Sequence, residues 1–254
     1  MTGRFVFVAF LLLSSLSCGT AHDPPPCKLV ADTTEMSSAK IDASPNAARE
    51  ILESFSDDSH IGRRGRNKIE IDIVNNGPFR EYRPSNLAIV RFYSLNASNK
   101  WELSQTLELE TTAIEDADPQ YEDFNNDGLK DVTFISGNAA RGANEVRTLL
   151  IYDQIADNLL LIRNSTSYPN LRYNRTLKCI DAFLVYGGTK TVFMKIEGDM
   201  LREFASVENF GGLRTVTTID LDGTENIVKE LNIRDDQIYD RFENFSPLLL
   251  YREK

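Results

Sequence analysis

From Ile69 onward, apolar and polar residues alternate along the chain. Ile69, Ile71 and Ile73 are interleaved with Glu70 and Asp72. Trp101, Leu103, Leu107 and Leu109 are interleaved with Glu102, Ser104, Thr106, Glu108 and Glu110. A period of two puts alternate side chains on opposite faces of a strand, so these segments predict strands with one buried and one solvated face. Trp101, the single tryptophan, falls on the buried face in this reading. Further β-forming runs lie at 87–93, 132–135, 146–152, 159–163, 182–186, 191–196, 201–207, 215–221 and 227–233. Turn signals separate them at Asn75-Asn76-Gly77-Pro78, Gly187-Gly188 and Asp222-Gly223. Many short antiparallel strands predict an all-β fold, either an antiparallel β-sandwich or a propeller-like sheet array, in one domain over residues 66–254.

Ahead of that domain, residues 19–65 read as a linker with a short helix. The stretch 23–45 is polar and carries three successive prolines. Ser44 is suited to cap a helix over 46–55, with Pro45 at its first position. Residues 57–68 are polar and read as a loop, with Arg63-Arg64-Gly65-Arg66 as a solvated basic spot. Residues 1–18 read as a signal peptide: Arg4, an apolar run over 5–13, then small residues. That run is too short to span a bilayer. Two cleavage sites compete. Leu16-Ser17-Cys18-Gly19 resembles a lipobox, with Cys18 the lipidated residue, although Ser15 stands where leucine is usual. Gly19-Thr20-Ala21 would instead release a soluble protein. The favoured expectation is a periplasmic protein held at a membrane by a lipid anchor alone. In that compartment Cys27 and Cys179 are candidates for one disulfide, the alternative being two unpaired thiols. Sequons begin at Asn96, Asn164, Asn174 and Asn244, a number expected of so asparagine-rich a chain.

Of 254 residues, 41% are apolar and 26% charged, the balance of a globular protein. The net charge of −10 argues against a nucleic-acid surface and suits cations or a basic protein partner. Within that acidity one segment is ordered: Asp123-Phe124-Asn125-Asn126-Asp127-Gly128-Leu129-Lys130-Asp131. Oxygen-bearing side chains at Asp123, Asn125, Asp127 and Asp131, with the carbonyl of Leu129, have the spacing that wraps a hard cation, and Gly128 permits the sharp turn. The predicted ion is Ca2+. The bland alternative is an Asn-Asp-Gly turn with its acids in solvent. Position twelve of a helical calcium loop would carry glutamate; here it is Phe134, and the β-rich 132–136 predicts that the loop leads into a strand. The acidic run 115–118 or Glu122 are possible sources of a further ligand. Asp220-Leu221-Asp222-Gly223-Thr224-Glu225 lacks a fourth ligand position and reads as a hairpin turn.

Catalytic machinery is sparse. The two histidines, His22 and His60, fall outside the predicted β body. Nucleophile–histidine arrangements and His/Cys zinc sites therefore have no base or ligand there. No phosphate-cradling loop occurs. A carboxylate pair of glycosidase type is the remaining enzymatic alternative. The glycine-containing run 136–145 follows the acidic loop by one strand and predicts a long hairpin loop able to probe a partner's cleft. Its candidate contact residues are Asn138, Arg141 and Asn144; an ordinary mobile hairpin is the alternative.

The run 122–132 resembles the aspartate-rich loops of FG-GAP and VCBS-type β proteins. The longer order is similar to a family of exported bacterial proteins related to periplasmic lysozyme inhibitors. It runs from acidic loop to strand, to loop 137–144, to a strand ending Leu150-Ile151-Tyr152-Asp153. Some members of that family are immunity proteins against peptidoglycan-hydrolase toxins. The resemblance covers residues 69–235, with the acidic loop its one sharp motif. It implies a calcium-stabilised, non-catalytic β domain that binds and blocks a lysozyme-like hydrolase. The rival expectation is a calcium-dependent carbohydrate-binding or adhesion module on the cell surface.

Overall fold

The computed structural model describes residues 49–76, 86–112 and 117–251. Cys18, Cys27, His22, the Gly77-Pro78 part of the first turn signal and Glu115-Asp116 lie outside them.

The fold is all-β, as the alternation predicts. Strands β1 (Ile51–Asp57), β2 (Asn67–Asn75), β3 (Asn86–Leu95) and β4 (Trp101–Thr111) form a first antiparallel sheet in sequential order. A second follows from β5 (Gln120–Glu122), β6 (Asp131–Ala139), β7 (Asn144–Asp153) and β8 (Asn158–Leu161). A third, six-stranded sheet runs through β9 (Arg172–Asn174), β10 (Cys179–Val185), β11 (Thr189–Glu197), β12 (Met200–Phe210), β13 (Leu213–Ile219) and β14 (Glu225–Asn232). A terminal hairpin, β15 (Phe242–Phe245) and β16 (Leu248–Leu250), completes the described chain. Each strand pairs with its sequence neighbour, which is what short turns between antiparallel strands produce.

The second sheet is the middle layer. Along β7, Leu150 and Tyr152 point into a core shared with Ile69, Ile71, Ile73, Val90 and Phe92 of the first sheet. Leu149 and Ile151 point the opposite way, into a core shared with Ile180, Ala182, Val192 and Met194 of the third. A strand buried on both faces reads as a continuous apolar run. Thr148-Leu149-Leu150-Ile151-Tyr152 is such a run, every residue buried. On the far face of the third sheet, Phe193, Ala205, Val207 and Val216 are covered by Phe242 of β15.

Three expectations are corrected. Residues 51–55, expected as helix, are the start of β1. Its residues Phe55 and Glu53 pair with Ile71 and Ile73 of β2, and this sheet pairing overrides the local capping signal. Trp101 and Leu103 are 38% and 52% exposed, not buried. A bulge leaves Phe92 opposite Gln105 but Tyr93 opposite Leu103, so one extra residue of β4 moves Trp101 and Leu103 to the outer face. His60 is not remote from the β body: it sits in the turn after β1, stacked on the Tyr121 ring at 5.5 Å.

The Cys179 thiol is free and buried in the third core. Cys27, its expected partner, lies outside the described residues. Burial pushes the thiol up to about 12, aided by the nearby Asp181 charge. Of the sequon asparagines, Asn174 is fully buried, and Asn164 holds the Leu201 backbone with both ends of its amide.

Candidate metal loop and contact hairpin

The acidic loop closes on itself through its amides. Asp127 N–H donates to Asp123 Oδ1 and to Asn125 Oδ1, each at 3.0 Å. Gly128 N–H donates to Asp123 Oδ2 at 2.9 Å, and Leu129 N–H to Asp127 Oδ1 at 2.8 Å. Asn125 Nδ2 donates to Asp127 Oδ2 at 2.8 Å. Asn126 and Gly128 take left-handed backbone, φ 61° and 91°, as a tight wrap around its own oxygens requires. Leu129 rests its side chain on the first core. Asn125, Asn126, Asp127 and Gly128 are exposed.

Asp131 differs from the others: it is fully buried at the start of β6. Its Oδ2 accepts the N–H of Phe124 at 2.7 Å, and its Oδ1 accepts the N–H of Tyr152 at 2.9 Å. Burial, aided by the Asp127 charge, pushes this carboxyl up to about 7 against the backbone donors of Tyr152, Phe124 and Asn125. One side chain thus ties the loop to both strands at the base of the β6–β7 hairpin.

The five expected ligands therefore share one loop, with hard oxygen donors suited to Ca2+ in type and number. Each side-chain oxygen is turned toward an amide, and among the described residues no three His, Cys, Asp or Glu side chains form a metal-holding group. The buried Asp131 charge, close to Asp127, is the feature a cation in this loop would compensate. The second acidic turn is the hairpin expected. Thr224 N–H donates to Asp222 Oδ1 and Gly223 N–H to the Asp220 carbonyl, between β13 and β14.

The contact hairpin lies at the other end of β6, about 26 Å from the acidic loop at the rise of a strand. Residues 138–143 are exposed. At its tip Ala140, Arg141 and Gly142 are all left-handed, with φ 48°, 57° and 89°. For the two residues with a Cβ this backbone is costly and persists only where the surroundings hold it. The surroundings do hold it. Asn144 Nδ2 donates to the Val185 carbonyl and Asn144 Oδ1 accepts the Val185 N–H, each at 2.9 Å. Asn170 Nδ2 donates to the carbonyls of Ala143 at 3.0 Å and Phe183 at 2.7 Å, while its Oδ1 accepts Glu145 N–H at 3.2 Å. Arg147, fully buried, bonds Glu145 at 2.5 Å and Asp118 at 2.6 Å. Gly137 closes the other flank, because a Cβ there would meet Thr112 Oγ1 at 2.4 Å.

Of the three expected contact residues, Asn138 and Arg141 are exposed at the tip, and no side-chain hydrogen bond or ion pair to Arg141 is found among the described residues. Asn144 is corrected: both ends of its amide serve as a brace within the fold. Asn170 was missed, since a lone asparagine 25 positions beyond its nearest hairpin partner, Glu145, carries no local signal.

Asp57, Ser59 and His60 also meet. Asp57 Oδ2 and Ser59 Oγ both contact His60 Nδ1, at 2.7 and 3.0 Å. A nucleophile–base–acid relay uses the two ring nitrogens separately. Here the carboxylate also accepts the N–H groups of Ser59 and His60, so the three residues make a capped turn.

No protein-family model matches the chain, and no curated protein matches it. Among solved structures, one described as that of a Xanthomonas type IV secretion system related protein is similar to it, as a weak likeness that carries no argument. The identity is 12% and the TM-score 0.44, over 72% of this chain and 97% of that one.

Proposed function

We propose that this chain is an exported, non-catalytic, calcium-binding β protein that docks on a lysozyme-like peptidoglycan hydrolase and blocks it. The observation that carries the reading is the braced tip. An exposed hairpin end with successive left-handed residues, clamped by Asn144 and Asn170, is pre-organised and loses little freedom on entering a cleft. Arg141 brings a cation to that end, and a glycoside-cleaving site carries a pair of carboxylates. The acidic body complements a basic enzyme and would speed encounter. Calcium in the loop of Asp123, Asn125, Asp127, Leu129 and Asp131 would fix the base of the same hairpin. Lipidation at Cys18 would keep the protein at a periplasmic membrane surface.

The test is inhibition of peptidoglycan hydrolysis across lysozymes of different structural families. Suppression that Arg141→Ala weakens supports the reading; no suppression by the intact chain anywhere in the panel overturns it. A second reading, a carbohydrate-binding or adhesion module, is favoured by Trp101, whose outward position offers a ring for stacking against a sugar. Retention on insoluble glycans, lost in Trp101→Ala, together with no inhibition, would select it.

A further inference from the structure

The tip does not stand alone at its end of the molecule. Strand β10, to which Asn144 bonds through Val185, continues directly into Tyr186. Tyr186 stacks on Phe210, with ring centroids 6.3 Å apart and planes at 27°. Both rings are open to solvent, 45% and 57% exposed. Leu184, two residues before Tyr186, packs into the core beneath β7, so Tyr186 continues the sheet face on which the hairpin lies. The rings are held in place. The Tyr186 hydroxyl bonds Glu208, and Tyr186 N–H donates to the Gly188 carbonyl at 2.9 Å. Gly188 lets the two chains approach, because a Cβ there would lie 2.2 Å from the Asn209 carbonyl oxygen and 3.0 Å from the Phe210 ring.

Two large apolar rings fixed beside a strained, cationic loop end are an unusual surface for a monomer to leave uncovered. Aromatic residues and arginine are the types that dominate binding energy when a partner covers them. We propose that Tyr186 and Phe210 form the second half of the docking surface, an aromatic platform against the rim of the partner's cleft while Arg141 enters it. The inference rests on the reading above and names its occupant: a protein enzyme whose cleft carries carboxylates. The charge pattern argues for that occupant. Arg141 is a cation without an ion-pair partner among the described residues, at the tip of a chain whose net charge is −10, and its natural complement is an anionic recess.

The experiment measures inhibition of a lysozyme panel on labelled peptidoglycan with the full chain and with Phe210→Ala, Tyr186→Ala, Tyr186→Phe and Arg141→Ala. Melting curves check that each variant is folded; both rings are exposed, so truncation leaves the cores intact. Phe210→Ala is expected to weaken inhibition on the order of 30-fold, as loss of a central aromatic contact does. Tyr186→Ala should behave similarly, and Tyr186→Phe, which keeps the ring but loses the bond to Glu208, should fall between Tyr186→Ala and the intact chain. If Arg141→Ala loses inhibition while Phe210→Ala and Tyr186→Ala retain it, the platform is overturned and the inhibitor reading stands. If the intact chain inhibits nothing, both fall together. Self-association of the chain that Phe210→Ala abolishes without changing inhibition would assign the rings to a second copy and overturn the proposal.

Discussion

Asn144 grips Val185 by both ends of one amide: its Nδ2 donates to the Val185 carbonyl and its Oδ1 accepts the Val185 N–H, each at 2.9 Å. This joins the end of the middle sheet's hairpin to the third sheet across 41 residues of sequence. Removing it strands one donor and one acceptor of Val185. Asn144→Ala should therefore destabilise the fold by about 1–3 kcal/mol in denaturant titration. Hydrogen exchange at Val185 should accelerate, together with exchange in residues 138–145. Asn144→Asp keeps the acceptor and loses the donor, so it should fall between. An Asn144→Ala protein with unchanged exchange at Val185 would show that the brace is not what holds the tip.

The acidic loop separates two effects that a single substitution would confuse. Asp131 caps two buried amides, those of Phe124 and Tyr152, whatever else it does. Asp131→Ala should cost about 2–4 kcal/mol even in chelator, because both donors lose their acceptor. Asp127 is exposed and caps one exposed amide, so Asp127→Ala should cost less than about 1 kcal/mol in chelator. If the loop binds calcium, the intact chain melts higher when calcium is added, and Asp127→Ala abolishes that rise. An Asp127→Ala protein that keeps the full calcium shift would reject this loop as the site.

Asp157 gives the fold an acid-sensitive joint. Its Oδ1 accepts Asn67 Nδ2 at 3.0 Å and the Tyr152 hydroxyl at 2.8 Å, and pairs with Arg63 at 2.5 Å. Burial would raise this carboxyl, but the bonds from Tyr152, Ser94, Arg63 and Asn67 outweigh it and hold it below its ordinary value. A carboxylate depressed in the folded state contributes stability that is complete above its unfolded pKa, about 3.9. That contribution fades as pH falls toward the folded value. Stability should thus drop more steeply below about pH 4 in the intact chain than in Asp157→Asn, while the variant is the less stable of the two at pH 7. Urea titrations at pH 7, 5 and 3 check the sign.

Much of this was legible in the sequence. Eleven strands from β2 onward lie where the alternation or a β-forming run placed them; most bury one face or both, whereas β14 is exposed along nearly its whole length and is held by its pairing with β13. The acidic loop was legible from its spacing, since side chains at alternate positions fold back on the amides they precede. The failures have physical causes. Ile51–Asp57 carries too weak an alternation to outweigh the Ser44-Pro45 signal, and only the edge of β2 makes it a strand. Strands β5, β9, β15 and β16 have three or four residues and so no measurable period. The bulge opposite Phe92 and Tyr93 leaves no mark in the sequence, yet it turns Trp101 from core to surface. The Tyr186–Phe210 stack and the Asn170 clamp join residues that only the folded topology brings together.

The tip offers a case in which stability and function should move in opposite directions. Ala140 and Arg141 both hold φ near +50°, where a Cβ crowds the backbone. Glycine at Ala140 relieves that crowding, though it also gives the unfolded chain more freedom. Ala140→Gly should therefore leave the fold as stable or up to about 1 kcal/mol more stable. Without a Cβ at this position more of the backbone map is open, and the exposed segment samples more conformations before docking. If the braced tip is what enters a hydrolase cleft, inhibition should weaken several-fold, through a slower association rate and with no contact atom removed. Arg141→Gly would remove strain and contact together and cannot make that distinction; Ala140→Gly can. Inhibition kinetics alongside denaturant titration of the same variant measure both. An Ala140→Gly protein that inhibits as well as the intact chain would mean that the left-handed turn shapes the hairpin and contributes nothing to recognition.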